Sequence, residues 1–180
     1  MMMQGQVVVS REQKSGKNVV GASTESEASG SLVETSFSGQ RRGVSVGRTV
    51  NLGDFNFARI EVAFEFSTAS MPEGENAIDC AHRIANEILF RECAAILERE
   101  RESVSMTEAD ALLGRRVRLT YGITKSLKAF ESVKFDVSAD QPLADGEAFE
   151  AALSKIQAET GDFIKRELSR ASKAGSDIGF

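Results

Sequence analysis

Residues 39 to about 98 and 114 to about 173 align with each other without a gap, at the constant offset that carries Gly47 onto Gly122. The same shift carries Thr49 onto Thr124, Leu52 onto Leu127, Phe55 onto Phe130, Arg59 onto Lys134, Glu61 onto Asp136 and Val62 onto Val137. It still holds further on, where Ile88 to Cys93 fall on Phe163 to Leu168. Self-similarity at a fixed period identifies the building unit before any element is assigned, so the fold has to accept two copies of one unit.

Each copy reads as strand, loop, strand, helix. In the first, Val44, Val46 and Val50 alternate with Ser45, Gly47 and Thr49; then Ala58, Ile60, Val62, Phe64 and Phe66 alternate with Phe57, Arg59, Glu61, Ala63 and Glu65. The second repeats this with Val117, Leu119, Tyr121 and Ile123, then Val133, Phe135 and Val137. One apolar and one polar face per hairpin is the pattern of a half-covered antiparallel sheet. After the first hairpin, Ser70-Met71-Pro72-Glu73 has capping-box form ahead of a helix predicted to run to about Arg101, with Ile78, Ala81, Ala85, Ile88, Leu89 and Ile96 on its apolar stripe. After the second, Asp145 is the predicted cap of a helix whose stripe is Phe149, Leu153, Ile156, Phe163, Ile164 and Leu168, interrupted by Gly161. Thr107 to Gly114 reads as a short linking helix.

Residues 1–38 contain a Gly/Ser/Glu-rich stretch, Gly21 to Gly30, with too little apolar surface to offset the entropy of ordering it. They are predicted to form a flexible arm, followed by a single domain of two repeats (39–105 and 114–173) and a tail at 174–180. The expected class is α+β: tandem strand-strand-helix units building a four-stranded antiparallel sheet, with two long helices on one face and a pseudo-twofold axis between the copies.

The net charge of −5 over 180 residues hides an asymmetry. Arg41, Arg42, Arg48 and Arg59 cluster in the first hairpin, and Arg115, Arg116, Arg118, Lys125, Lys128 and Lys134 in the second, while both helical segments are acidic. The two basic segments occupy the same place in the repeat. With them stand aromatic residues: Phe55 and Phe130 in the matched loops, Phe57 on the polar alternation beside Arg59, and Tyr121. Aromatic faces that stack unpaired bases, together with a basic track for phosphates, are how sequence-tolerant single-strand binders work. The expected nucleic-acid contacts are therefore Arg41, Arg42, Arg48, Phe55, Phe57, Arg59, Arg116, Arg118, Lys125, Lys128, Phe130 and Lys134. The competing expectation is an oligomeric protein-interaction module, with Phe57 as an anchor on the open sheet face.

No catalytic residue, metal or cofactor is expected. Glu61 with Glu65, or Asp136 with Asp140, could hold a hard cation, but neither pair has a third ligand or a nucleophile at a useful spacing. His82 is the only histidine. Cys80 and Cys93 fall in one predicted helix about 20 Å apart, beyond disulfide reach, and read as buried thiols. No apolar run approaches the ~18 residues of a membrane span, so the expected location is the cytoplasm.

Two resemblances add to this. The chain ends Asp177-Ile178-Gly179-Phe180, which resembles the Asp-Ile-Pro-Phe tip of bacterial single-stranded-DNA-binding proteins. That likeness implies that Asp177, Ile178 and Phe180 dock on replication or recombination proteins; it is confined to the last few residues. The run Gly47 to Phe55, followed by Arg59-Ile60-Glu61-Val62, is similar to segments of small phage-encoded proteins that sit among replication genes. It implies a DNA-metabolism role in a phage or mobile element, in the host cytoplasm, and identifies no catalytic residue. Together these readings point to a non-catalytic single-stranded-DNA-binding protein acting as a homo-oligomer.

Overall fold

The period-two alternation of both repeats is realised as two hairpins, β3 (Arg41–Gly53) with β4 (Asn56–Ser67), and β5 (Arg116–Lys128) with β6 (Glu131–Pro142). A third hairpin, β1 (Met2–Ser15) with β2 (Asn18–Glu34), precedes them. The structure is a computed structural model that describes residues 2–15, 17–34, 41–67, 77–98, 107–110, 112–128 and 131–176. All six strands form one sheet in the order β2-β1-β6-β5-β4-β3, with every neighbouring pair antiparallel. The helices are α1 (Ala77–Ile96), the short α2 (Thr107–Asp110) and α3 (Phe149–Ser176).

The expected four-stranded sheet is thus corrected to six strands. The added pair comes from residues expected to form a flexible arm. Val7 and Val9 of β1 stand opposite Ala139 and Val137 of β6 and are buried with them. The polar run of β2 is exposed on both faces of an edge strand, where backbone ladder bonds to β1 hold it and no side chain has to be buried. A strand held in this way needs no apolar side chains, which is why the Gly/Ser/Glu-rich composition does not exclude it.

The pseudo-twofold axis is also corrected. In this sheet order β3 and β5 run in the same direction two places apart, as do β4 and β6. A twofold axis normal to the sheet would set equivalent strands antiparallel. The second repeat instead follows the first by a sideways step of two strands, about 10 Å, with the usual sheet twist. One consequence matters for function: all three hairpin turns, near Lys17, Asp54 and Leu127, lie at the same end of the sheet.

Both long helices cover one face. α1 rests on β3 and β4, and α3 on β5 and β6. Ala81, Ile84, Ala85, Ile88 and Leu89 recur at helical spacing along α1 and are buried in the same core as Ile60, Val62 and Phe64. Phe149 at the start of α3 meets Phe64 edge-on, with ring centroids 5.5 Å apart. Each fully buried side chain of this size stabilises the fold by roughly 1.5–3 kcal/mol. α1 stops at Ile96, short of the expected Arg101, because the chain turns left-handed at Glu98, with φ of 54°. α3 continues unbroken through Gly161.

The start of α3 is fixed differently from the expectation. Asp110 of α2, not Asp145, accepts the Phe149 backbone N–H, at 2.6 Å, while Asp145 accepts the N–H of Gly114. Beneath this corner lies Arg115, fully buried, donating to the carbonyls of Ala109, Ala144 and Glu147 and lying over the Phe149 ring. Burial pushes its pKa below the ordinary arginine value, against the raising influence of Asp110 and Asp145. Arg115, although part of the second basic cluster in sequence, is a structural cation.

Candidate functional site

Strand register assigns each expected contact to a face. Phe57 pairs with Thr124, Arg59 with Gly122, and Ala63 with Arg118 across β4 and β5; Thr124 in turn pairs with Lys134, and Arg118 with Asp140. Cross-strand partners point the same way, so Phe57, Arg59, Arg116, Arg118 and Lys134 all stand on the face away from the helices. Arg48 is opposite buried Ile60, and Lys125 is opposite Val133, so both belong to the helix side. Arg48 lies beside Phe90 and Cys93 of α1 and Leu97 just after it. Lys125 donates to Ser172 of α3 at 2.6 Å. These seven expected contacts are therefore split between two faces rather than forming one track.

On the open face the cations already have carboxylate partners. Arg59 lies 3.6 Å from Glu61, Lys134 lies 3.2 Å from Asp136, and Arg116 and Arg118 both bond Asp140, at 2.6 and 2.9 Å. Burial raises the Asp140 carboxyl, but the hydrogen bonds from Arg116 and Arg118 outweigh it and hold its pKa below the ordinary aspartate range; the same contact raises Arg116. Ser45 donates to Glu61, and Thr120 and Ser138 bond each other, so the centre of this face is a charge-balanced, hydroxyl-rich surface.

The matched glycines belong to this arrangement. A Cβ on Gly122 would come within 2.4 Å of the Asp136 carboxylate, and one on Gly47 within 3.3 Å of the Ile60 carbonyl. Gly47 opposite Glu61, and Gly122 opposite Asp136, each with a cation two residues earlier on the partner strand, form one duplicated unit. The strongest identity between the repeats therefore encodes sheet geometry as well as surface chemistry.

The turn end of the sheet differs. β3 and β4 are joined by Asp54 and Phe55, with φ of 47° and 62°, the pattern of a type I′ turn, which ordinarily takes Asn-Gly. Phe55 is 85% exposed and Phe57, just beyond it, 41% exposed. Leu52, Val19 and Val20 are exposed at the same end, and Lys14 and Lys17 lie by the first turn. Those four β1–β2 residues were not among the expected contacts. The signal for them was present: Ser15-Gly16-Lys17-Asn18 after the Val7 to Val9 run is a hairpin turn in composition.

Arg42 is exposed near the start of edge strand β3, far from the turns. The side chains of Arg41 and Lys128, with Phe130, the Ser70–Glu73 capping box and the tip residues Asp177, Ile178 and Phe180, lie outside the described residues. Cys80 and Cys93 are buried free thiols of α1, and burial pushes the Cys93 thiol up. Among the described residues no three His, Cys, Asp or Glu side chains gather as a metal site, and no helix is long and apolar enough to cross a membrane. Comparison with protein-family models, curated proteins and solved structures gives no match.

Proposed function

We propose that this chain is a non-catalytic single-stranded-DNA-binding protein whose contact surface is the turn end of the sheet, not its open face. The observation that carries the reading is the exposed pair Phe55 and Phe57 at the end of the sheet that all three hairpin turns share, with Lys14 and Lys17 by the first of those turns. A phenylalanine in the left-handed region costs about 1–2 kcal/mol that glycine would not, and strain of that kind persists where a site uses it. Base stacking on such rings is sequence-tolerant and contributes about 1–3 kcal/mol per base. The phage-like and single-strand-binder-like segments of the sequence favour the same ligand. With two lysine–phosphate contacts, from Lys14 and Lys17, log affinity should fall against log salt with a slope of about −1.4.

Fluorescence anisotropy of a labelled oligothymidylate at low salt tests this. Phe55→Ala and Phe57→Ala should each weaken binding by about fivefold to a hundredfold, and Lys14→Glu with Lys17→Glu should flatten the salt dependence. An unchanged anisotropy with wild-type protein at low salt sinks the proposal.

One observation favours a second reading, an assembly module that pairs copies through the open face. Its charges are mutually satisfied and alternate in sign across β4, β5 and β6, which suits a self-complementary surface better than a polyanion path. Arg59→Glu with Lys134→Glu tests this reading by itself. Loss of the oligomer in light scattering with DNA binding retained supports assembly through this face; an oligomer left unchanged excludes it.

A further inference from the structure

Between α1 and α3, above β5, lies a cleft of about 660 Å3 walled by apolar side chains, among them Leu52, Ile96, Ile123 and Ile164. Glu92 of α1 faces into it while remaining only 5% exposed. Tyr121 of β5 donates its hydroxyl to one carboxylate oxygen of Glu92, and Gln157 of α3 donates its side-chain amide to the other. Both donors are neutral. Among the described residues no Lys or Arg forms an ion pair with Glu92, although pairs of that kind are made elsewhere on both helices, as by Arg91 with Glu150.

A carboxylate accepts about four hydrogen bonds and is costly to bury without a balancing cation. Glu92 uses two of those positions, and Glu98 and Asp162 at the cleft wall outnumber Lys165, so the site keeps an excess of negative charge. The volume suits one small molecule, with Leu52, Ile96, Ile123 and Ile164 against its body and Glu92, Tyr121 and Gln157 to orient it. We propose that this cleft binds a small organic cation, a primary ammonium on an apolar body, with the ammonium donating to Glu92 and the hydrocarbon against Ile96, Ile123 and Ile164. Leu52 borders both this cleft and the turn end, but Phe55, Phe57, Lys14 and Lys17 do not line the cleft, so the cation site does not rest on the DNA contacts.

Hexylammonium and its neutral counterpart hexanol are suitable probes of the full chain, followed by isoleucine-methyl shifts and calorimetry. Saturable hexylammonium shifts concentrated on Ile96, Ile123 and Ile164, with hexanol at least about tenfold weaker, support the proposal. Glu92→Gln should bring hexylammonium down to the level of hexanol and leave hexanol unchanged. Equal affinity of the two probes for wild-type protein, or shifts spread over the surface without saturation, overturns it. Should Glu92→Gln not fold, the wild-type comparison still decides, and Ile164→Trp, which fills the cleft from its wall, should abolish binding of both probes. A lysine-bearing peptide that displaced hexylammonium and bound far more tightly would overturn the small-molecule assignment in favour of a protein ligand.

Discussion

Phe55 shows at a single residue how a local rule is broken. The turn that joins β3 and β4 needs positive φ at both central positions, and only glycine meets that need without strain. Phe55→Gly should therefore raise stability by about 1 kcal/mol in urea unfolding, while removing the ring should weaken DNA binding in the anisotropy assay; a variant less stable than wild type would show that the ring packs structurally. Gly122 makes the opposite point. Gly122→Ala pushes a methyl against the Asp136 carboxylate, the half-exposed end of a side chain that can swing aside, so it should break the pair with Lys134 at a cost of no more than about 1 kcal/mol. Gly47→Ala, whose nearest neighbour at 3.3 Å is the Ile60 backbone carbonyl, has no side chain to move aside and should cost at least as much in the same unfolding experiment. The sequence marks both glycines as equivalent, and only the neighbours of each Cβ distinguish them.

Among elements, the least expected is the N-terminal hairpin, and a specific contact ties it down. Arg11 of β1 donates to both carboxylate oxygens of Glu167, a buried residue of α3, and Arg170 adds a further bond. The Arg11 hydrogen bond holds the Glu167 carboxyl below the ordinary glutamate range, more than offsetting its burial. A depressed carboxylate pKa contributes stability that is present above the unfolded-state value, about 4.3, and is lost as pH falls through the lower folded value. Glu167→Gln should thus cost about 2–4 kcal/mol at neutral pH, and the gap to wild type should close as the solution is taken below pH ~4. Hydrogen exchange should show the loss first in β1 and β2; equal protection in both proteins would mean that the backbone ladder to β6 suffices. Within α1, Glu92 interrupts an apolar stripe of Ile88, Leu89 and Cys93. A charge at that spacing is a sequence sign of a buried polar network, although its partners Tyr121 and Gln157 are far away in the chain.

For the whole molecule, strand order governs what each surface can do. Because the repeats follow one another sideways, all turns share one end, and the chemistry of three hairpins is pooled there. The same order makes β6 an interior strand only while β1 pairs with it. A chain lacking residues 1–34 would expose the β6 ladder and the core surface now covered by Val7 and Val9, so light scattering should show association or precipitation at concentrations where the full chain does not associate further. A well-behaved truncated chain of unchanged oligomeric state would instead mark the hairpin as dispensable.

The amino-acid sequence by itself determined the duplication, the two strand-strand-helix units, the polar and apolar faces of their hairpins, and the burial of both cysteines, because each of these follows from periodicity over a short stretch. Tertiary structure alone decided that the sheet has six strands, that the copies step sideways, and that Arg59, Arg116, Arg118 and Lys134 face carboxylates while Arg48 and Lys125 turn toward the helices. Pairing between strands distant in the chain sets which charges become neighbours. Side-chain period fixes a face, but only register fixes a partner.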